Sequence, residues 1–181
     1  GKSGGQPGDK GEIIVDGKKI EVLDTIKKDG EIINILNEIE ELEENIEVDA
    51  KIDWNLRYKY MKMHTALHLM CSIIPLGVTG GQIGFEKSRL DFNDPEKQIN
   101  KEELEEKINI LINENHLVTS EIIESSILDE KPELVRTMSV KPPQIDGKIR
   151  LIRIGDVDLQ PCGGTHVKST IEVGKIQIGK I

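Results

Sequence analysis

Cysteine and aromatic side chains are the scarcest materials in this sequence of 181 residues. Two cysteines, Cys71 and Cys162, are too few for a disulfide framework and point to a reducing cytosol. The aromatic residues are Trp54, Tyr58, Tyr60, Phe85 and Phe92 alone. The core therefore has to be built from Ile, Leu and Val, and there is little material for stacking single-stranded bases. No run approaches the roughly 20 apolar residues that span a bilayer, and no secretory signal opens the chain. A cytoplasmic protein with no membrane partner is expected. An initiator Met is also missing: the chain opens at Gly1, the start expected of a processed product or a fragment. Positive charge is in deficit, with 24 basic against 33 acidic residues and a formal net charge of −9. That balance counts against a general nucleic-acid binder, because neutralisation of phosphates supplies most nonspecific affinity.

What is present is organised. A chain of this length buries close to ~70% of its unfolded surface and needs no covalent staple to fold. Its charges segregate: residues 38–49 hold seven acidic groups and no basic one, whereas residues 136–181 hold eight basic against four acidic. A basic C-terminal face is thus compatible with a local field for a polyanion.

Residues 1–35 begin glycine-rich and continue through short β-branched runs separated by Asp16-Gly17 and Asp29-Gly30, the pattern of strands joined by tight hairpins. A long helix is expected after Asp53 as N-cap, with Leu56, Tyr60, Met63, Leu67, Met70 and Ile74 recurring at three- and four-residue spacing until Pro75 and Gly77 stop it. Residues 78–92 form a glycine turn leading into strands. A second helix is signalled by Asn100 as cap, Glu103 as its capping-box partner and a stripe of Leu104, Ile108, Leu111 and Ile112. Further strands are expected near 117–123, 149–160 and 171–178. The fold class is α+β, a largely antiparallel sheet packed with two long helices, and the domain division is a small β-rich module over 1–48 and a second domain over 49–181.

Chemistry concentrates in two pairs. The sequence has four histidines, and three of them, with one cysteine, form His64-x-x-x-His68 and Cys162-x-x-x-His166. On a helix, positions i and i+4 share a face, so the first pair converges on one point. The second brackets Gly163-Gly164-Thr165, where glycine lets the backbone turn tightly enough for both side chains to face one way. Either pair alone is also what two half-buried histidines or a small core cysteine would give; jointly they read as one metal site. Imidazole and thiolate suit zinc, not the oxygen-preferring magnesium or calcium. The pairs stand far apart in the chain, so the scaffold must form the site, unlike a zinc finger. A metalloprotease is disfavoured, because Thr65 occupies the place where a zincin carries its Glu base. His116 is assigned to the dipole at the end of the second helix and Cys71 to the core.

The segments HTALH at 64–68, Thr79-Gly80-Gly81-Gln82, Arg89-Leu90-Asp91-Phe92 and QPCGGTHVKST at 160–170 resemble the editing domain of alanyl-tRNA synthetase. They resemble still more its free-standing relatives, the AlaX trans-editing proteins, whose glycine-rich motif is similar to SGGQPGDKGEI at 3–13. The resemblance implies the fold of the second additional domain of threonyl- and alanyl-tRNA synthetases. It also implies hydrolysis of the ester joining a wrong amino acid, chiefly serine and sometimes glycine, to tRNA(Ala), a translation-fidelity reaction at the acceptor-stem end. It makes His64, His68, Cys162 and His166 the ligands of one Zn2+ per chain. It makes Gln82 and Thr165 the candidate catalytic residues, and Gly4, Gly5, Gln6, Thr79, Gly163 and Gly164 the candidate substrate-binding ones. Two positions depart from the family's pattern: Ser3 stands where the first glycine of that motif would be, and Leu67 stands where the synthetase-embedded domain often carries Thr. Two other readings of the same residues are a noncatalytic zinc-stabilised tRNA-binding module and an excised editing domain of a synthetase. Four simultaneous ligands would close a tetrahedral shell, so either one ligand is loosely held or the zinc positions substrate.

Overall fold

The computed structural model describes residues 5–28, 30–38, 42–138, 142 and 144–181. It is an α+β fold of antiparallel strands and a few helices, as the sequence pattern requires. The strands, however, are divided among three separate sheets. The first has the order β3-β2-β1-β4, built from β1 (Gly11–Val15), β2 (Lys18–Lys28), β3 (Glu31–Leu36) and β4 (Asp49–Ile52). Asp16 and Gly17 join β1 to β2 with φ of 48° and 80°. Positive φ at both central residues is what a type I′ hairpin needs. Gly30, at φ 88°, lies in the second hairpin, while Asp29 is outside the described residues. β4 begins beyond the expected boundary at residue 48 yet pairs with β1, Gly11 facing Ile52.

Helix α1 (Trp54–Ile73) starts where Asp53 Oδ1 accepts the Leu56 N–H at 3.0 Å, a cap of ~1 kcal/mol. It ends at Ile74, directly before Pro75. Burial is not confined to one stripe: His64, Thr65, Ala66, Leu67, His68 and Leu69 are consecutively buried. The middle of α1 is therefore enclosed on every side, which is what lets it present two histidines into the interior. Helix α2 (Lys101–Asn113) is amphipathic, burying Leu104, Ile108 and Ile112. Asn100 caps the Glu103 N–H at 2.9 Å, but the Glu103 carboxylate turns to Lys107 instead of returning to the cap. Only half of the expected capping box forms there. His116 lies past the end of α2, and its Nε2 sits 2.7 Å from the Glu114 carboxylate; that neighbour replaces the helix dipole as its partner.

The second sheet is the pair β5 (Val78–Gln82) and β6 (Arg89–Phe92). The third has the order β7-β8-β9, from β7 (Val118–Glu124), β8 (Lys148–Ile154) and β9 (Asp158–Pro161). The strand structure expected near 149–160 is a hairpin, turned at Gly155, whose φ is 48°. Between β7 and β8 lie the short helix α3 (Ile127–Glu130) and one 3-10 turn (Pro132–Leu134). One buried cluster joins the two helices to the third sheet: Ala66 and Leu69 of α1 and Ile108 and Ile112 of α2 close on Ile152 and Ile154 of β8, with Cys162, Val167 and Val173. Each fully buried aliphatic side chain in such a cluster contributes about 1.5–3 kcal/mol.

The strand expected at 171–178 does not form. Residues Thr170–Val173 are a 3-10 turn with a complete capping box between Ser169 and Glu172. After it, the backbone is satisfied by side chains of α2: Ile176 bonds Asn109 through both its N–H and its carbonyl, and Ile178 N–H reaches Glu105. The alternation of IEVGKIQI therefore reflects one side lying on α2, with helix side chains standing in for a neighbouring strand. Among the described residues, no helix is long and apolar enough to cross a membrane.

Candidate metal centre

Two elements deliver the site. The enclosed middle of α1 supplies His64 and His68, and the loop after β9 supplies Cys162 and His166. One ligand atom from each lies within 4.8 Å of all the others. His64 Nε2 and His166 Nε2 are each 3.4 Å from Cys162 Sγ. Zinc bonds of about 2.0–2.1 Å to nitrogen and 2.3 Å to sulfur, at tetrahedral angles, demand an N···S edge of about 3.5 Å. The donor set and the two N···S separations of 3.4 Å therefore fit a tetrahedral metal ion.

The outward nitrogens are held by a second layer of side chains. His64 Nδ1 lies 3.3 Å from Gln6 Oε1, His166 Nδ1 lies 3.1 Å from Thr65 Oγ1, and His68 Nδ1 lies 3.3 Å from Asp158 Oδ2. Each bond fixes the ring so that Nε2 is left to face the cage. Thr65, the residue that displaces the zincin base, is fully buried and also bonds the Met61 carbonyl. The loop is pinned from the other side by Arg150, whose Nη1 donates to the carbonyls of Cys162 at 3.2 Å and Gly164 at 2.7 Å. Gly164 has to be glycine: a Cβ there would stand 2.2 Å from the His64 ring. Gly164 thus serves close packing of loop against helix.

Electrostatics prepare the cage for a cation. Burial pushes the Cys162 thiol up, but hydrogen bonds from His166, His64 and His68 outweigh it and bring it down to about 2. Burial likewise disfavours charge on His68, yet its bonds to Asp158 and Cys162 lift it to about 9. His166 goes the other way, to about 3, through burial and the neighbouring charge of His68. A thiolate among imidazoles is the protonation state a metal ion takes, with the ion's charge in place of the imidazolium.

A pocket of about 290 Å³ opens onto these residues. His64, His68 and Cys162 line it, with Thr79 and Gln82 of β5 and with Gly163 and Gly5. Of the candidate catalytic pair, Gln82 therefore faces the pocket, whereas Thr165 does not line it. The Thr165 hydroxyl instead accepts from Gln6 Nε2 at 2.8 Å, and its N–H donates to Gln6 Oε1 at 3.2 Å. Gln6 is buried, and it ties the N-terminal segment to both the loop and His64. Gly4 and Ser3 lie outside the described residues. Sequence reasoning missed Asp158, Arg150 and Gln6's bond to His64, since no local spacing marks a partner that arrives from another element. The period-2 placement of Asp158 and Gln160 on one buried face of β9 was the one available sign.

Three histidines and one cysteine converging beneath a pocket on an α+β fold make this a protein with a candidate metal centre. A family model described as the threonyl and alanyl tRNA synthetase second additional domain matches residues 149–181, the span that includes β9 and the Cys162–His166 loop. Whole-chain comparisons extend the likeness. The alanyl-tRNA editing protein AlaX-M of Methanosarcina acetivorans is 32% identical over 99% of this chain and 78% of its own length. AlaX-L of Pyrococcus horikoshii is 37% identical over 98% of the chain and 44% of its length, and the alanine–tRNA ligase of Sulfurisphaera tokodaii 36% over 98% and 20%. The chain belongs to the alanyl-tRNA editing protein family, AlaX.

Proposed function

We propose that this protein is a cytoplasmic zinc-dependent hydrolase that removes serine, and to a lesser degree glycine, from mischarged tRNA(Ala). The observation that carries this reading is the convergence of His64, His68, Cys162 and His166 beneath a pocket whose walls include Gln82 and Gly5. Membership of the editing family supports the substrate class. A bound zinc ion supplies a fixed positive centre that can orient or polarise the ester. Four converging protein donors favour that orienting role over one requiring an open coordination position. The other tasks fall to the chain. Gln82 offers an amide donor and acceptor at the pocket wall, Thr79 a hydroxyl, and Gly5 and Gly163 leave room for the ribose and acyl group to approach the backbone. Thr165 and Gln6 position the loop, each holding the other. Water attacks the acyl carbon, the ester C–O bond breaks, and the ribose oxygen leaves as a hydroxyl, giving free amino acid. An aminoacyl ester is already activated, so positioning and modest charge stabilisation suffice. We also propose the division into a β-rich N-terminal module and an editing domain, with the acceptor-stem end of tRNA(Ala) as partner.

Discrimination runs in the favourable direction. A pocket built to bond a hydroxyl leaves its own groups unpaired when alanine arrives, a penalty worth up to ~10⁴-fold. Incubating the zinc-loaded chain with Ser-tRNA(Ala), Gly-tRNA(Ala) and Ala-tRNA(Ala) tests the reading. Serine release at the highest rate, with alanine retained, is expected. Absence of release from all three would place a noncatalytic tRNA-binding module ahead.

A further inference from the structure

The pocket beside the cage has an unusual charge for so acidic a chain. Among the described residues, no Asp or Glu lines it, and Arg136 is its one permanently charged side chain. The backbone of Arg136 is fixed against β5, the strand that carries Gln82. Its carbonyl accepts the Val78 N–H at 2.9 Å, and the Val78 carbonyl accepts the Met138 N–H at 2.8 Å. The side chain is half-buried, and its Nε is buried with no hydrogen-bond partner. No described carboxylate pairs with it. A buried donor on a group that cannot lose its proton is costly to leave unmade. Arg136 lines the pocket, so an anion entering there meets its charge.

A planar guanidinium selects an oxyanion, phosphate or carboxylate, over a neutral acceptor. In an aminoacyl ester the amino acid's carboxyl is already esterified and its remaining charge is an ammonium. The one anion within a nucleotide of the scissile bond is the phosphodiester on the 5′ side of the terminal ribose. We propose that Arg136 binds this phosphodiester and so sets the register at which the ester meets the metal centre. The assignment rests on the deacylase reading of the pocket.

The test uses two non-hydrolysable probes, 3′-seryl-amino-3′-deoxyadenosine with and without a 5′-phosphate, titrated calorimetrically into the zinc-loaded chain. The phosphorylated probe is expected to bind about ten- to a hundredfold more tightly. Arg136→Gln should collapse that ratio to about one without changing affinity for the unphosphorylated probe. Arg136→Lys should retain part of the ratio, because charge survives and the fork is lost. Metal content and the circular dichroism spectrum are read on each variant, so a misfolded protein is not mistaken for a lost contact. Equal affinities for the two probes in the unmutated protein, or a ratio untouched by Arg136→Gln, overturns the assignment while ester hydrolysis stands. Binding of neither probe, with no release of serine from Ser-tRNA(Ala), overturns the deacylase reading and the assignment together.

Discussion

Asp158 shows how one residue outside the ligand set governs the centre. Its side chain is fully enclosed, Oδ2 receives His68 Nδ1 at 3.3 Å and Gln160 Nε2 at 2.7 Å, and Oδ1 has no partner. The carboxylate is kept in the interior by its bond to the imidazole, which it orients and makes more basic. Asp158→Asn should lower metal affinity by about 10–100-fold, measured by competition with a chromophoric chelator. An unchanged affinity would remove Asp158 from the centre. Arg150 has a comparable part for the loop: with its guanidinium on the carbonyls of Cys162 and Gly164, it is a structural strap instead of a member of the RNA-facing basic surface that charge segregation suggested. Arg153, from the same basic stretch, pairs with Glu121 across β7 and β8.

Among the elements, the first turns of α1 and the 3-10 turn at Thr170–Val173 are joined by one bond, Tyr58 Oη donating to Glu172 Oε2 at 2.6 Å. The Tyr58 hydroxyl, with the N–H groups of Ser169 and Lys168, holds the Glu172 carboxyl below its usual range. A lowered folded-state value adds stability above the unfolded carboxyl value near ~4.3, and that stability is lost as pH falls through the folded value. The denaturation midpoint should therefore separate wild type from Glu172→Gln at neutral pH and converge below about pH 4. Parallel curves over the whole range would show that the bond contributes nothing. At this scale the sequence was a good guide to the helices. Asp53 and Asn100 cap through local side-chain geometry, and the apolar stripe of α2 needs no knowledge of its partner. It was a poor guide at 171–178, because Asn109 and Glu105 of α2 supply the hydrogen bonds that an alternating pattern would otherwise assign to a strand.

For the molecule as a whole, the centre joins segments remote from one another in the chain. The imidazole pair comes from one helix, the thiolate and third imidazole from a loop 94 positions later, and Gln6 ties the N-terminal segment to both. A metal ion bound there stabilises the folded chain alone. At a free concentration a hundred times its dissociation constant it adds about 2.7 kcal/mol. For a chain of this length that is roughly 5–10 °C of melting temperature. Chelation should lower the midpoint of thermal unfolding by that amount, and zinc should restore it. A midpoint indifferent to chelator would mean that the four side chains hold no ion.

By itself the sequence picked out the candidate ligands in two halves, since i, i+4 spacing on a helix and a glycine-hinged Cys-x-x-x-His are local facts. It determined the two long helices for the same reason: capping and periodicity act within a few residues. Only the tertiary structure decided that the halves face one another at 3.4 Å, that Asp158, Thr65 and Gln6 take the outward nitrogens, and that Arg136 lines a pocket with no described Asp or Glu. Those relations depend on which surfaces α1, β9 and the N-terminal segment bury against each other. Burial of apolar area sets that choice without direction, and no spacing along the chain encodes it.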